Sequence, residues 1–183
     1  MYPRLSTIAV LFGSLAIAAC GSNGKGADTG SPGGSADVEV YINEFMTDNA
    51  TALADNGTFP DWIELYNAGS KTVDLSGYWM TDDLENTFNW QIPNGVTIEA
   101  GQFVIIFADN DIDQGEFHAS FQLDQLGGED IGLFGLNVDD NPLIDSVQDF
   151  TVLAEDESLA RTPDGSGNWQ PTSAPTPGAS NGG

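Results

Sequence analysis

Apolar and polar residues alternate in short runs along most of the chain beyond residue 37. VEVYINEF (38–45) sets Val38, Val40 and Ile42 on one face, and DWIELYN (61–67) sets Ile63 and Leu65 opposite Trp62, Glu64 and Tyr66. A period of two marks a strand with one buried face. The same pattern predicts strands over 73–82, with a bend at Ser76-Gly77, and over 87–93, 118–123, 130–136, 142–150 and 158–162. Residues 96–109 read as two runs around Ala100-Gly101. Phe103 to Ala108 is apolar on both faces, as in a central buried strand. Asp55-Asn56-Gly57, Asn94-Gly95, Gly127-Gly128 and Asn141-Pro142 supply turn chemistry between the runs. No long helical stripe competes, and Thr47 to Ala54 has room for one helical turn at most. Many short strands at this spacing predict an all-β sandwich.

The first 37 residues follow another pattern. Residues 1–19 carry Arg4, then a mostly apolar run from Ile8 that closes in small residues, the layout of a secretory signal peptide. The run is shorter than the ~20 apolar residues that cross a bilayer. Ile17-Ala18-Ala19-Cys20 resembles the lipobox of bacterial lipoproteins. That resemblance implies cleavage before Cys20 and lipidation of its thiol, which gives stable anchoring when two or more acyl chains are present. An ordinary signal peptide cut after Ala-x-Ala is the alternative. Gly21 behind the cysteine, by the same resemblance, favours the outer membrane of a bacterial envelope over the inner one. Residues 20–37 then read as the lipidated cysteine and a Gly/Ser-rich tether, and 38–181 as one domain.

Composition narrows the partners. The chain has 40% hydrophobic residues and a single cysteine, so it expects a packed core without disulfides. Its net charge is −24, a field that repels nucleic acid and anionic lipid heads. Cations, basic proteins and neutral glycans are compatible with it, as is a purely solubilising surface.

Three segments carry a family resemblance: INEFMTDN (42–49), DWIELYNAGSKTVDLSGYWMTDD (61–83) and ESLARTPDGSGNWQPTSAPTPGASN (157–181). Together they resemble the lamin tail domain family, and the resemblance implies an immunoglobulin-like β-sandwich over roughly 38–181. Trp62, Leu65, Leu75 and Trp79 would supply inward area, and Trp169 would fold back on the rim. The family implies a module more than an activity. Nuclear functions do not transfer to a chain with no coiled-coil rod and this charge.

The polar clusters offer candidate chemistry. Asp109, Asp111 and Asp113 alternate as at the start of a calcium loop, but Gly115 is seventh where an EF-hand has its glycine sixth, and Ser120 stands at the twelfth position, where it has glutamate. A looser calcium site, completed by Asp82, Asp83, Asp139 or Asp140, is one reading, and a solvated acidic turn is the other. The loop Thr47 to Pro60 is a second candidate binding surface. Arg161 is expected to form a structural ion pair, with Glu64 as first partner. His118, the only histidine, stands near Ser120, but no nucleophile elbow, zinc pair or triad accompanies it.

The expected function is a non-catalytic, lipid-anchored envelope protein whose domain binds a protein or glycan or acts structurally. A calcium-dependent adhesion or structural module is one alternative. A hydrolase accessory or weak hydrolase is another.

Overall fold

The computed structural model describes residues 38–136 and 142–182. The signal-like segment, Cys20, the tether, Asp139 and Asp140 lie outside the described residues.

Among the described residues, eleven strands form three sheets. They are β1 (Val40–Met46), β2 (Trp62–Asn67), β3 (Val73–Asp74), β4 (Trp79–Thr81), β5 (Trp90–Gln91), β6 (Thr97–Ile98), β7 (Phe103–Phe107), β8 (Ile131–Phe134), β9 (Leu143–Val147), β10 (Ser158–Arg161) and β11 (Trp169–Thr172). A five-stranded sheet runs β11-β10-β1-β2-β7, a four-stranded sheet β5-β4-β8-β9, and β3 pairs with β6. Every named ladder is antiparallel. Between the sheets lies one core, with Ile42, Phe45, Ile63, Leu65 and Ile106 from the larger sheet and Met80, Ile131, Leu133 and Val147 from the smaller. No helix among the described residues is long and apolar enough to cross a membrane.

Glycines cut two of the expected runs. Gly77, at φ +79, divides 73–82 into β3 and β4, which join different sheets. Gly101, at φ +70, divides 96–109 into β6 and β7. Positive φ is cheap only without a Cβ, so the chain changes direction at these points. Strand β7 is an edge strand, not a central one. It is apolar on both faces because Ile106 enters the core while Phe103 stacks on Tyr66 at 4.8 Å and Phe107 on His118 at 5.0 Å. Residues 118–123 form no strand and make only isolated bridges, Phe107 with His118 and Asp109 with Gln122. Trp79 is only half-buried and meets the exposed Phe88 edge-on at 5.2 Å.

A bulge controls the face of β1. Ile42 stands opposite Leu65 and Glu44 opposite Glu64, so Asn43 is the extra residue. Simple alternation would aim Glu44 into the core with Ile42. The bulge turns it outward and returns Phe45 to the core beside Ile63. Trp169 does fold back. It lies 5.7 Å from Phe45, edge to face, and its strand β11 pairs with β10.

Candidate functional site

Two adjoining clefts share Glu129. The larger, about 660 Å³, is lined by Asp61, Gln122, Leu123, Asp124, Gln125, Leu126 and Glu129. The smaller, about 410 Å³, adds Asp82, Asp83, Asn86, Gly128 and Asp130. Neither Lys71 nor Arg161 lines either cleft.

Local hydrogen bonds build these walls. Asp124 Oδ1 accepts from Leu126 N at 2.8 Å, and Glu129 Oε2 accepts from Asp124 N at 2.7 Å, which closes the 124–129 turn. Asp61 Oδ1 accepts from Asn49 N at 3.1 Å. Asn49 in turn donates to Leu53 O and Pro60 O and accepts from Ala52 N and Leu53 N, so one side chain organises the loop from Thr47 to Pro60. Gln125 Nε2 donates to Asp48 Oδ1 at 3.0 Å and ties that loop to the cleft. Burial pushes the Asp61 carboxyl up to about 6, aided by Asp48 and opposed by the Asn49 N–H. Burial also raises Glu129, and Asp82 and Asp124 add to it. A cationic group entering the cleft would relieve both.

The acids after β7 are engaged differently. His118 is buried, with Nδ1 2.9 Å from Asp109 Oδ2 and Nε2 3.5 Å from Asp55 Oδ2. Gln114 Nε2 donates to Asp109 and to Asp111. Asp113 sits exposed in a 3-10 turn, Ile112–Gln114. Asp82 and Asp83 line the smaller cleft instead of joining Asp109. No three His, Cys, Asp or Glu side chains among the described residues are grouped to hold a metal ion. Ser120 Oγ donates to Asn89 O, so it does not serve His118 as a nucleophile partner.

Arg161 pairs with Asp145, not with Glu64. Its Nη2 lies 3.0 and 2.8 Å from the two Asp145 oxygens, its Nε donates to Ile42 O at 2.7 Å, and Nη1 donates to Ser166 O. The register gives the reason. Ala160 stands opposite Glu44, which stands opposite Glu64. Arg161, one residue on, therefore faces the other way. Glu64 instead accepts from Asn43 Nδ2 at 2.9 Å and Gly178 N at 2.7 Å. Burial pushes it up to about 8, and Glu44 and Asp164 push in the same direction.

Comparison with known families matches the chain to the model for the Lamin Tail Domain over residues 34–151. The chain belongs to the Lamin Tail Domain family. Lamin tail domains are immunoglobulin-like, non-catalytic sandwiches, in agreement with the all-β architecture. The match includes both clefts and ends before β10, so β10 and β11 extend the sheet beyond the matched span, with the tail behind them. No curated protein and no solved structure matches the chain.

The Asp61 cleft escaped the sequence because its walls come from separate segments, 61 and 122–129. Only the abundance of acids hinted at it. The buried Glu44–Glu64 pair escaped because the bulge at Asn43 hides it from an alternation count.

Proposed function

We propose that this lamin tail domain is a non-catalytic binding module of the bacterial cell envelope, anchored by lipid at Cys20, which holds a cationic segment of a partner protein in the Asp61–Glu129 cleft. One observation carries the binding reading: a cleft of about 660 Å³ whose charged lining residues are all acids, with two of its carboxyls held above their ordinary range by burial. Exposed Leu126 on its wall offers an apolar contact beside the charge. Such a site favours Lys or Arg side chains with their apolar stems. Phosphate-bearing ligands are repelled. Anchoring rests on the Ile17–Cys20 motif, which would hold the chain at a membrane surface.

Titration of the chain with a Lys/Arg-rich peptide, a neutral oligosaccharide and an acidic peptide, each at physiological salt, tests the binding reading. Saturable binding of the basic peptide alone supports it. Saturable binding of the oligosaccharide alone would turn the reading to glycans, and binding of none would leave the domain a spacer. For the anchor, the mass of the N-terminal peptide from cells carrying the wild type and Cys20→Ser distinguishes lipidation from ordinary cleavage.

A calcium-held form of the same module has less support, because Asp109 already faces His118 and Gln114.

A further inference from the structure

The outer face of the five-stranded sheet is covered by the chain's own tail, residues 173–182, and the cover is polar. No residue of the tail is buried, and none is charged. It is held by hydrogen bonds to carboxyl groups. Thr176 N donates to both oxygens of Glu44 at 3.2 Å, Gly178 N to Glu64 Oε2 at 2.7 Å, and Asn181 N to Asp164 Oδ1 at 2.9 Å. Ser180 Oγ adds a contact of 2.5 Å to Asp164 Oδ2. Glu44 and Glu64 beneath it are fully buried. They come from adjacent strands, Asp164 from the turn between β10 and β11, and among the described residues no cation bonds any of the three. Arg161, the nearest cation in the sequence, faces Asp145.

Counting hydrogens locates a proton in this network. Asn181 Nδ2 donates to Asn43 O and Arg161 O, which leaves its Oδ1 as an acceptor. That oxygen lies 2.6 Å from Thr176 Oγ1, so it takes the single hydroxyl proton of Thr176. Thr176 Oγ1 also lies 3.1 Å from Glu44 Oε2. The second contact is a hydrogen bond only if Glu44 supplies the proton. The other Glu44 oxygen lies 2.5 Å from Ser158 Oγ, again a hydroxyl able to accept. Glu64 has no such option. Its oxygens face Asn43 Nδ2 and Gly178 N, which only donate, and the Asn43 amide is oriented by Gly165 N donating to its Oδ1 at 3.0 Å. A proton held by the pair therefore sits on Glu44.

We propose that residues 173–182 form a proton-held latch, closed over Glu44 and Glu64 while Glu44 keeps a proton, and lifted from an intact sandwich when that proton is lost. With both glutamates ionised, two facing charges would be buried without a counterion, and the simplest relief is to let water in by releasing the tail. The sandwich can survive this because the tail contributes no buried side chain. Burial raises both carboxyls above their ordinary range, in keeping with a retained proton. The device goes beyond the cleft reading and does not depend on it.

Amide hydrogen exchange on the full chain between pH 5 and 9, corrected for intrinsic rates, tests the latch. Protection at Thr176, Gly178 and Asn181 should fall by about tenfold or more on the alkaline side while Ile63 and Leu65 keep theirs. Glu44→Gln places an NH₂ donor where the protonated oxygen stands and cannot ionise, so its tail should stay protected across the range. If that variant does not fold, Thr176→Val, a change in the tail itself, should move the loss of protection to lower pH by removing an acceptor for the proton. Protection independent of pH in the wild type, loss of tail and core protection together, or an unaltered pH response in the variant that folds would overturn the proposal.

Discussion

Arg161 on β10 grips Asp145 on β9 and so ties an edge strand of the four-stranded sheet to the five-stranded sheet. The same pair completes the bulge: Ile42 O accepts from Arg161 Nε, and Ile42 N donates to Asp145 Oδ2 at 2.9 Å. Trp169 lies over the guanidinium at 4.5 Å. Burial lifts the Asp145 carboxyl even against the pull of Arg161, so the pair contributes geometry more than net attraction.

Breaking that pair leaves a largely buried carboxylate with backbone donors but no cation. Arg161→Ala should destabilise the domain by roughly 3–5 kcal/mol in urea unfolding. Arg161→Lys should recover only part of the loss, since one ammonium cannot reproduce the planar fork and the bond to Ile42 O. An unchanged midpoint for Arg161→Ala would show that the clamp is not needed for stability.

Stability should fall as pH rises. Asp61 goes from 3.8 to about 6 on folding, and burial raises both Glu44 and Glu64, the pair that keeps one proton on Glu44. The folded state therefore holds more protons than the unfolded one across that window. Their contribution is full below about pH 4 and is lost through pH 6 for Asp61 and at higher pH for the Glu44–Glu64 pair. A tenfold change in proton affinity corresponds to ~1.4 kcal/mol. Thermal melts at constant ionic strength should give a higher Tm at about pH 5.5 than at about pH 8.5. Asp61→Asn should flatten the acidic part of the curve. Glu64→Gln should destabilise more than Glu44→Gln, because its amide would present a donor to Asn43 Nδ2 or Gly178 N.

Gly127 guards the cleft turn. It sits at φ +68, and a Cβ there would lie 2.6 Å from Phe150 O and 2.8 Å from Val152 N. Backbone cannot yield as a side chain can, so Gly127→Ala should cost more than the ~1 kcal/mol of an ordinary glycine replacement. Because Leu126 and Gly128 line the two clefts, peptide affinity should fall with it. A melt and a titration on the same sample check both.

Calcium at millimolar concentration should move the Tm no more than magnesium does at equal ionic strength. Asp109 is held by His118 and Gln114, and among the described residues the acids around it are not grouped as a cation shell. A calcium-specific rise of several degrees would show that the 109–116 loop re-forms around the ion.

How far the sequence spoke follows from what each feature depends on. Local alternation was enough for β2, where Ile63 and Leu65 face the core and Trp62, Glu64 and Tyr66 do not. It was not enough for β1, because a bulge is set by pairing with a neighbour. Nor did it show that 118–123 would pair only at isolated bridges. Arg161 was legible as a structural cation by its scarcity, but its partner depended on which face of β10 it occupied. The cleft joins Asp61 to residues 122–129, far along the chain, and no periodicity encodes that.

The most direct test of binding at the cleft compares two triple variants of equal charge. One changes cleft residues, Asp61→Asn, Asp124→Asn and Glu129→Gln. The other changes exposed acids elsewhere, Asp111→Asn, Asp113→Asn and Glu116→Gln. Both are titrated with the same Lys/Arg-rich peptide at physiological salt, after melts establish that each is folded. Only the cleft variant should lose affinity, by about tenfold or more, equivalent to about 1.4 kcal/mol of lost interaction. Equal losses in the two variants would mean that the peptide reads net charge alone, and would contradict a site at the Asp61–Glu129 cleft.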